Sequence, residues 1–453
     1  MNTIQNNPFN NPQQYQESVI VKLIFITLIV LGLLIPSFWI NSLVEERQNR
    51  QREVVADVSS KWASAQTVTG PVLRIPYKIG VPLRNTGNYN EDASSIEKYF
   101  YLTPDMLTID ANIDAKVLNR TIFKVPVYNS EVTMKGSFKF NEQMLMALKA
   151  IEIDYANAGI FIGISDLKGI EQNPQFNIFN SMQQLEPGED SQYIFSENLF
   201  TPLDLTESQE KPMDFVVKMK IKGSEMIRFM TIGKTTALKL NGNWPHPKFD
   251  GLMLPNDREV SEKGFSASWN VLHFNRNLPQ TWTSDSRIKD HENTIGAELY
   301  TPVDHYQLNM RSSKYSHLII ILSFAAMFLV EMIKKVKIHP IQYLLIGFAL
   351  VLYYSLMIAL SEHIGFSLSY LIASVATTIL VGCYSTSFLV PKKMAILLVS
   401  ILLLFYAFIF VVINAQDIAL LLGSIALFAV LASIMYFSKD VKWYKEPVKV
   451  AEI

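Results

Sequence analysis

Apolar residues follow two different periods along this chain, and the switch between them divides it. Six stretches are almost continuously apolar: Val21–Ile40, His317–Ile333, Ile341–Leu360, Leu368–Leu389, Met394–Ile413 and Ile418–Phe437. A helix needs about 20 apolar residues to cross roughly 30 Å of hydrocarbon, so the pattern predicts six transmembrane helices, one N-terminal and five C-terminal. Between the first and the second the period falls to two. Val117 to Phe140 alternates bulky apolar with polar residues, as in Val132-Thr133-Met134-Lys135. Phe215 to Leu240 does likewise through Val217-Lys218-Met219-Lys220-Ile221-Lys222, and so does Phe265 to Phe274. Alternation of this kind marks strands with one wet face. The expected fold class is an α+β membrane protein whose large extracytoplasmic domain is β-rich and antiparallel, in a sandwich.

Boundaries follow from the same pattern. Residues 1–20 read as a disordered tail, rich in Asn and Gln, and 21–40 as a signal anchor without a small-x-small cleavage pattern. From Asn41 the chain is rich in helix formers, so a helical stalk is expected over 41–69, stopped by Gly70-Pro71. The β-rich domain then occupies 70–315, as one large domain or two small ones. Gly-, Pro- and Asn-rich breaks at 85–95, 171–190 and 241–258 read as loops, with a short helical turn around Gln143–Lys149. A five-helix bundle over 316–437 and a tail over 438–453 complete the chain.

Charge fixes an orientation. The connections after the second and fourth spans and the C-terminal tail hold Lys334, Lys335, Lys337, Lys392, Lys393, Lys439, Lys442, Lys445 and Lys449. The opposite turns, Ser361–Phe366 and Asn414–Asp417, hold no Lys or Arg. The positive-inside rule then places both termini in the cytoplasm and residues 41–315 outside it. Trp39 near one boundary and Trp443 with Tyr444 near the other suit interfacial anchors.

Composition removes several function classes. Forty Lys+Arg against 41 Asp+Glu give a net charge of −1 and no basic stripe, which excludes nucleic acid as a natural partner. The lone Cys383 lies in an apolar run, so no intrachain disulfide forms. Gly233-Lys234-Thr235 lacks the earlier glycine of a phosphate loop, because position 228 is Arg228, and reads as a strand-edge turn. Gly163-Ile164-Ser165-Asp166 is not a nucleophile elbow, and His291-Glu292 has no second histidine at i+4. His246, His273, His291, His305 and His317 are too scattered for a zinc spacing. No enzyme chemistry, metal or cofactor is expected.

Two segments remain as candidates. In Trp244-Pro245-His246-Pro247 the prolines fix φ around the histidine and remove two backbone donors. Such a rigid segment presents an indole and an imidazole to a partner, or forms a stiff corner whose Trp fills the core. Ser361-Glu362-His363 lies at the outer boundary between two spans. It relays protons or lines a path, or else it is a hydrated turn with Glu362 held by a neighbour. No span carries a charge near its centre, which argues against an ion-coupled transporter.

Longer motifs carry a family resemblance. Trp244-Pro245-His246-Pro247 followed by Gly251, Leu254-Pro255, Arg258-Glu259-Val260-Ser261 and Gly264-Phe265 resembles the CreD family of inner-membrane proteins. So do Asp304-His305-Tyr306-Gln307-Leu308 with Arg311, Lys314 and Tyr315, and the run His339-Pro340-Ile341-Gln342-Tyr343-Leu344-Leu345-Ile346-Gly347. Leu360-Ser361-Glu362-His363, Gly365-Phe366 and Ile372-Ala373-Ser374 extend the match, as do Gly70-Pro71 and residues 414 to 423. The resemblance is loose from about 80 to 240, where the family's Asp-x-Arg-Gly stands as Asp166-Leu167-Lys168-Gly169. It implies a multi-pass protein of the bacterial inner membrane tied to cell-envelope integrity, produced under a two-component system and linked to colicin tolerance and β-lactam response. It implies no reaction and no catalytic residues. The expected partners are the lipid bilayer and another envelope protein or component. Arg311, Lys314 and Tyr315, close to the outer leaflet, fit a domain seated on headgroups. The competing expectation is a transporter or export accessory that uses Glu362 and His363.

Overall fold

The computed structural model describes residues 12–80, 95–140, 148, 150–188, 197–207, 212–286, 293–301, 305–334, 336–415 and 418–438. The chain forms two units, Met1–Gln51 with Val303–Ile453, and Arg52–Pro302. Helix α1 (Pro12–Trp62) contributes to both.

Eighteen strands follow α1 among the described residues. The first six are β1 (Gln66–Gly80), β2 (Ser95–Leu102), β3 (Met106–Arg120), β4 (Phe123–Phe138), β5 (Glu152–Ile153) and β6 (Ala158–Ile164). Then come β7 (Gln175–Ile178), β8 (Ser181–Gln183), β9 (Glu186–Pro187), β10 (Glu197–Leu203), β11 (Met213–Ser224) and β12 (Met226–Met230). The last are β13 (Thr235–Gly242), β14 (Pro247–Gly251), β15 (Asp257–Ser261), β16 (Gly264–Leu272), β17 (Thr281–Thr283) and β18 (Thr294–Leu299).

They make a ten-stranded sheet along β14-β18-β12-β1-β6-β10-β9 and an eight-stranded sheet ordered β15-β16-β13-β3-β4-β11-β7-β8. One core joins the two sheets. Leu73, Ile75, Ile160 and Phe229 from the first meet Leu107, Ile109, Met134, Val217 and Leu238 from the second. A shared core makes 52–302 one sandwich domain rather than two small ones. The period-two reading holds well in β11, where Phe215, Val217, Met219 and Ile221 are buried and Lys218 and Lys220 are exposed.

The sheets are antiparallel-rich, as expected, with two parallel pairings, β1 with β12 and β3 with β13. Other expectations need correction. Helix α1 ends at Trp62, earlier than Gly70-Pro71. That pair lies inside β1, where the register with β6 shifts between Thr69 and Val72; a bulge tolerates the missing proline N–H. The run from Val117 to Phe140 holds the end of β3 and all of β4, two strands joined by a turn in which Thr121 has φ 56°. Two of the presumed loops contain the short strands β7, β8, β9, β14 and the start of β15. The turn expected around Gln143–Lys149 and most of the loop at 85–95 lie outside the described residues, as do Trp443 and Tyr444.

Among the described residues, six helices are long and apolar enough to cross a membrane. After α1 come α2 (His305–Lys314), α3 (Ser316–Lys334), α4 (Pro340–Ile364), α5 (Phe366–Ser385), α6 (Lys393–Asn414) and α7 (Ala419–Ser438). The fourth span thus ends at Ser385 rather than Leu389, where Thr386, Ser387 and Phe388 turn the chain. Helix α2 precedes α3 with a break at Tyr315 and belongs to the same apolar span. The N-terminal span is part of the bundle: Ile26, Leu33, Ile40 and Val44 share a buried cluster with Phe324, Tyr343, Ile346 and Leu350. Gly347 makes that approach possible, because a Cβ there would lie 2.1 Å from Leu33 Cδ1.

Candidate functional site

Two largely buried carboxylates of the membrane unit, Glu331 and Glu362, lie near opposite ends of the bundle. At one end α4 is started by a reciprocal cap. His339 Nδ1 accepts from the Ile341 N–H at 3.3 Å, and Gln342 Oε1 accepts from the His339 N–H at 2.8 Å. Pro340 occupies the first helical position, where no N–H partner is needed. Tyr343, one residue further on, is fully buried and donates its hydroxyl to Glu331 Oε2 at 3.1 Å. Glu331 is itself 9% exposed; its other oxygen accepts from the Ile338 N–H and from Lys22 Nζ. Lys22 also donates to the Ile338 carbonyl. The motif His339-Pro340-x-Gln342-Tyr343 thus starts a helix and delivers one ligand of a buried carboxylate whose cation comes from α1. Lys22 carries no signal of its own in the sequence, whereas Glu331 stands near the end of the apolar run His317–Ile333. The signal was a carboxylate inside an apolar run, which requires a partner.

The opposite end is built around the last turn of α4. Gly365, at φ 80°, lets the chain reverse directly into α5. Glu362 is held by the Tyr306 hydroxyl at 3.4 Å and by Arg47 Nε at 3.7 Å, its side chain 13% exposed. Ser361 accepts from Asn309 Nδ2 at 2.7 Å, and Ser313 donates to Asn41 Oδ1 at 2.6 Å. Arg311 reaches the Ile413 carbonyl at 3.4 Å, and Tyr315 packs on the apolar cluster. His363 and Lys314 are exposed, so the structure does not join His363 to Glu362. This is a carboxylate held by neighbours across helices α1, α2 and α4.

In the β domain, Trp244 donates its indole N–H to the Tyr300 carbonyl at 2.8 Å and packs on the sandwich core, while His246 is exposed. Asn243 fixes the approach to this corner through the Ala115 N–H and Asp114. Asp166 sits elsewhere, accepting from the N–H groups of Ser64 and Lys168 at 2.9 and 3.0 Å. Burial opposes its charge, but these backbone donors, the Ser64 hydroxyl and the Lys168 charge outweigh that and hold the carboxyl below its ordinary value. Asp166 and Trp244 therefore do not share a pocket. The Gly233-Lys234-Thr235 turn is gripped by the buried Arg276, whose guanidinium donates to the carbonyls of Ile232 and Gly233 at 2.8 and 3.0 Å and also to Leu278. Burial pulls Arg276 down to about 10, still protonated at neutral pH. Among the described residues no three of His, Cys, Asp and Glu gather in a way that could hold a metal ion.

The family model for the inner membrane protein CreD matches residues 18–444. The chain belongs to the CreD family. It is 30% identical over 421 residues to the inner membrane protein CreD of Escherichia coli strain K12, covering 92% of this chain and 91% of that one. Among solved structures, an M1 zinc metallopeptidase from Deinococcus radiodurans aligns over 37% of this chain and 38% of its own at 6% identity. Its TM-score is 0.18, too low to carry any argument about fold or chemistry. For this CreD-family chain the long motifs seen in sequence coincide with the helix-start cap, the Glu362 end and the Trp244 corner.

Proposed function

We propose that this chain supports cell-envelope integrity from the bacterial inner membrane without catalysing a reaction, and that its β domain lies in the periplasm and binds another envelope component. The lysines at 334, 335, 337, 392 and 393, set against cation-free turns at 361–366 and 414–417, support this orientation with both termini cytoplasmic. On the same reading, the periplasmic domain is the unit Arg52–Pro302, with its strands starting at Gln66. The observation that carries binding over catalysis is how the polar motif residues are used. Asp166 and Trp244 are both committed to holding the domain's own backbone, and the Gly233 carbonyl is itself held by Arg276. His246 remains exposed beside its two prolines, and Phe274 is 83% exposed, an apolar side chain open to a partner.

The test is complementation of a strain lacking the protein, scored by survival under envelope stress at equal membrane abundance. Full-length chains carrying His246→Ala with Phe274→Ser should fail to rescue, whereas Glu362→Ala with His363→Ala should rescue. The reverse pattern would move the function into the bundle.

One observation favours that second reading, transport through the bundle. The rings of Tyr353, Tyr354, Tyr370 and Tyr406 pack together, Tyr353 and Tyr406 at 4.6 Å. The hydroxyls of Tyr354 and Tyr406 are buried with no hydrogen-bond partner among the described residues. Unpaired polar groups are costly in hydrocarbon and would be relieved in a hydrated state. Ser323 on α3 is likewise buried, its hydroxyl without a partner among the described residues; transport predicts that an impermeant thiol reagent modifies Ser323→Cys in a Cys383→Ser background, and complete protection would refute it.

A further inference from the structure

A groove runs between α5 and α6 on the lipid-facing side of the bundle. It has a volume of about 580 Å³ and almost wholly apolar walls, supplied by Val375, Ile379 and Gly382 on α5 and by Ile396, Val399 and Leu403 on α6. Both wall sets follow helical spacing. Residues 375, 379 and 382 form one stripe of α5, continued by Thr386 just past its end, and 396, 399 and 403 form one stripe of α6. Lys392, the residue before α6, stands one turn from Ile396, whose N–H bonds to its carbonyl, and Lys393 is beside it. Both lysines are exposed, and no ion pair joins either to a carboxylate among the described residues.

Length decides what the groove can hold. From the level of Lys392 to Leu403 is 11 residues, or about 16 Å at 1.5 Å per residue. That is close to half of the roughly 30 Å hydrocarbon core. A second transmembrane helix would need a seam across the full thickness. A single acyl chain needs one leaflet. A chain seated there brings its headgroup to the membrane boundary, beside two cations and the positive end of a 22-residue helix.

We propose that the α5–α6 groove is a binding site for an anionic glycerophospholipid, one acyl chain lying between Ile379 and Ile396 and the phosphate headgroup against Lys392 and Lys393. The site takes its depth from Gly382. A Cβ there would lie 2.8 Å from Val399 Cγ2, so any larger residue pushes against the opposite wall. Selectivity for charge comes from the lysines and retention from the groove, and the two are separable.

The experiment uses the full chain purified in mild detergent, titrated with phosphatidylglycerol or phosphatidylcholine of equal chain length and read by native mass spectrometry. Wild type should hold one phosphatidylglycerol in preference to phosphatidylcholine, by about fivefold for each lysine, the equivalent of about 1 kcal/mol. Lys392→Gln with Lys393→Gln should abolish the preference while leaving a bound lipid. Ile396→Trp, from a side chain already 64% exposed on the groove rim, should lower retention of both lipids without unfolding the bundle. Equal retention of the two lipids by wild type, or a preference that survives removal of both lysines, overturns the proposal. So does competition by inorganic phosphate alone, which would leave the acyl chain no role. Cys383 lines the groove and is exposed, so it reports the other occupant. Efficient cross-linking of Cys383 between two chains by a short bis-maleimide would assign the groove to a second copy instead.

Discussion

Replacing Lys22 by Met should destabilise the membrane unit by about 2–3 kcal/mol. The pair it forms with Glu331 is mostly hidden, with side chains 21% and 11% exposed. Two unit charges about 4 Å apart at an effective dielectric of about 20 attract by roughly 4 kcal/mol. Partial exposure lowers that figure, and breaking a fully buried pair costs about 3–5 kcal/mol, which sets the ceiling. The loss comes chiefly from the carboxylate left behind, because the Tyr343 hydroxyl and the Ile338 N–H still bond to it but neither neutralises it.

That origin makes a second, sharper statement possible. Glu331→Leu alone strands Lys22 and leaves two donors without an acceptor, so it should cost more than Lys22→Met. Combining the two removes both charges and leaves only neutral groups unpaired, at about 1 kcal/mol each. Adding Tyr343→Phe removes one of those. The double and triple variants should therefore be more stable than Glu331→Leu alone. Reversible unfolding in mixed SDS micelles, followed by helical ellipticity, gives the cycle. A loss below about 0.5 kcal/mol for Lys22→Met, or a double variant whose cost equals the sum of the singles, would refute the argument.

Other consequences can be measured in the same full-length protein. Arg276→Met removes a buried donor from the carbonyls of Ile232, Gly233 and Leu278 and should cost the β domain about 2–4 kcal/mol, with Arg276→Lys recovering only part because an ammonium lacks the fork; chemical denaturation by tryptophan fluorescence reads this. Gly347→Leu drives a side chain into Leu33 and should separate α1 from α4 at about 1–3 kcal/mol, seen as lost resistance to SDS. Asp166 is held below its unfolded value of roughly 3.9, so its contribution is present above about pH 4 and is lost as pH falls through the lower folded value. Asp166→Asn should flatten the acid limb of the β-domain stability curve, and an unchanged slope would contradict the assignment.

What the sequence could and could not reveal follows from the range of each interaction. Spans and alternating strands are local patterns, legible because burial repeats every turn or every second residue, as in β11 and α4. The parallel pairing of β1 with β12 joins Gln66 to Ile227 and has no local signature. Gly70-Pro71 looked like a helix stop because the same residues that end helices also make bulges. The Glu362 segment is visible in sequence as a charged turn, but the side chains that hold it, Arg47 and Tyr306, come from two other helices. His339, Pro340, Gln342 and Tyr343 stood out as a motif, and only the fold shows that three of them make a cap while the fourth reaches a carboxylate.

The separation in sequence between Lys22 and Glu331, 309 residues, also constrains assembly. Helix α1 is made first, yet Leu33, Ile40 and Val44 join their buried cluster only once the C-terminal helices exist. Lys22 has a carboxylate partner only once α3 exists, and Arg47 and Asn41 wait for Glu362 and Ser313. The sandwich core closes within Arg52–Pro302 and needs none of these contacts. A chain truncated after the β domain would therefore keep a folded sandwich on an anchor whose Lys22, Asn41 and Arg47 have lost the described bundle partners. Such a truncation tests the stability of the anchor as much as any function of the bundle. Point substitutions in the complete chain separate the two.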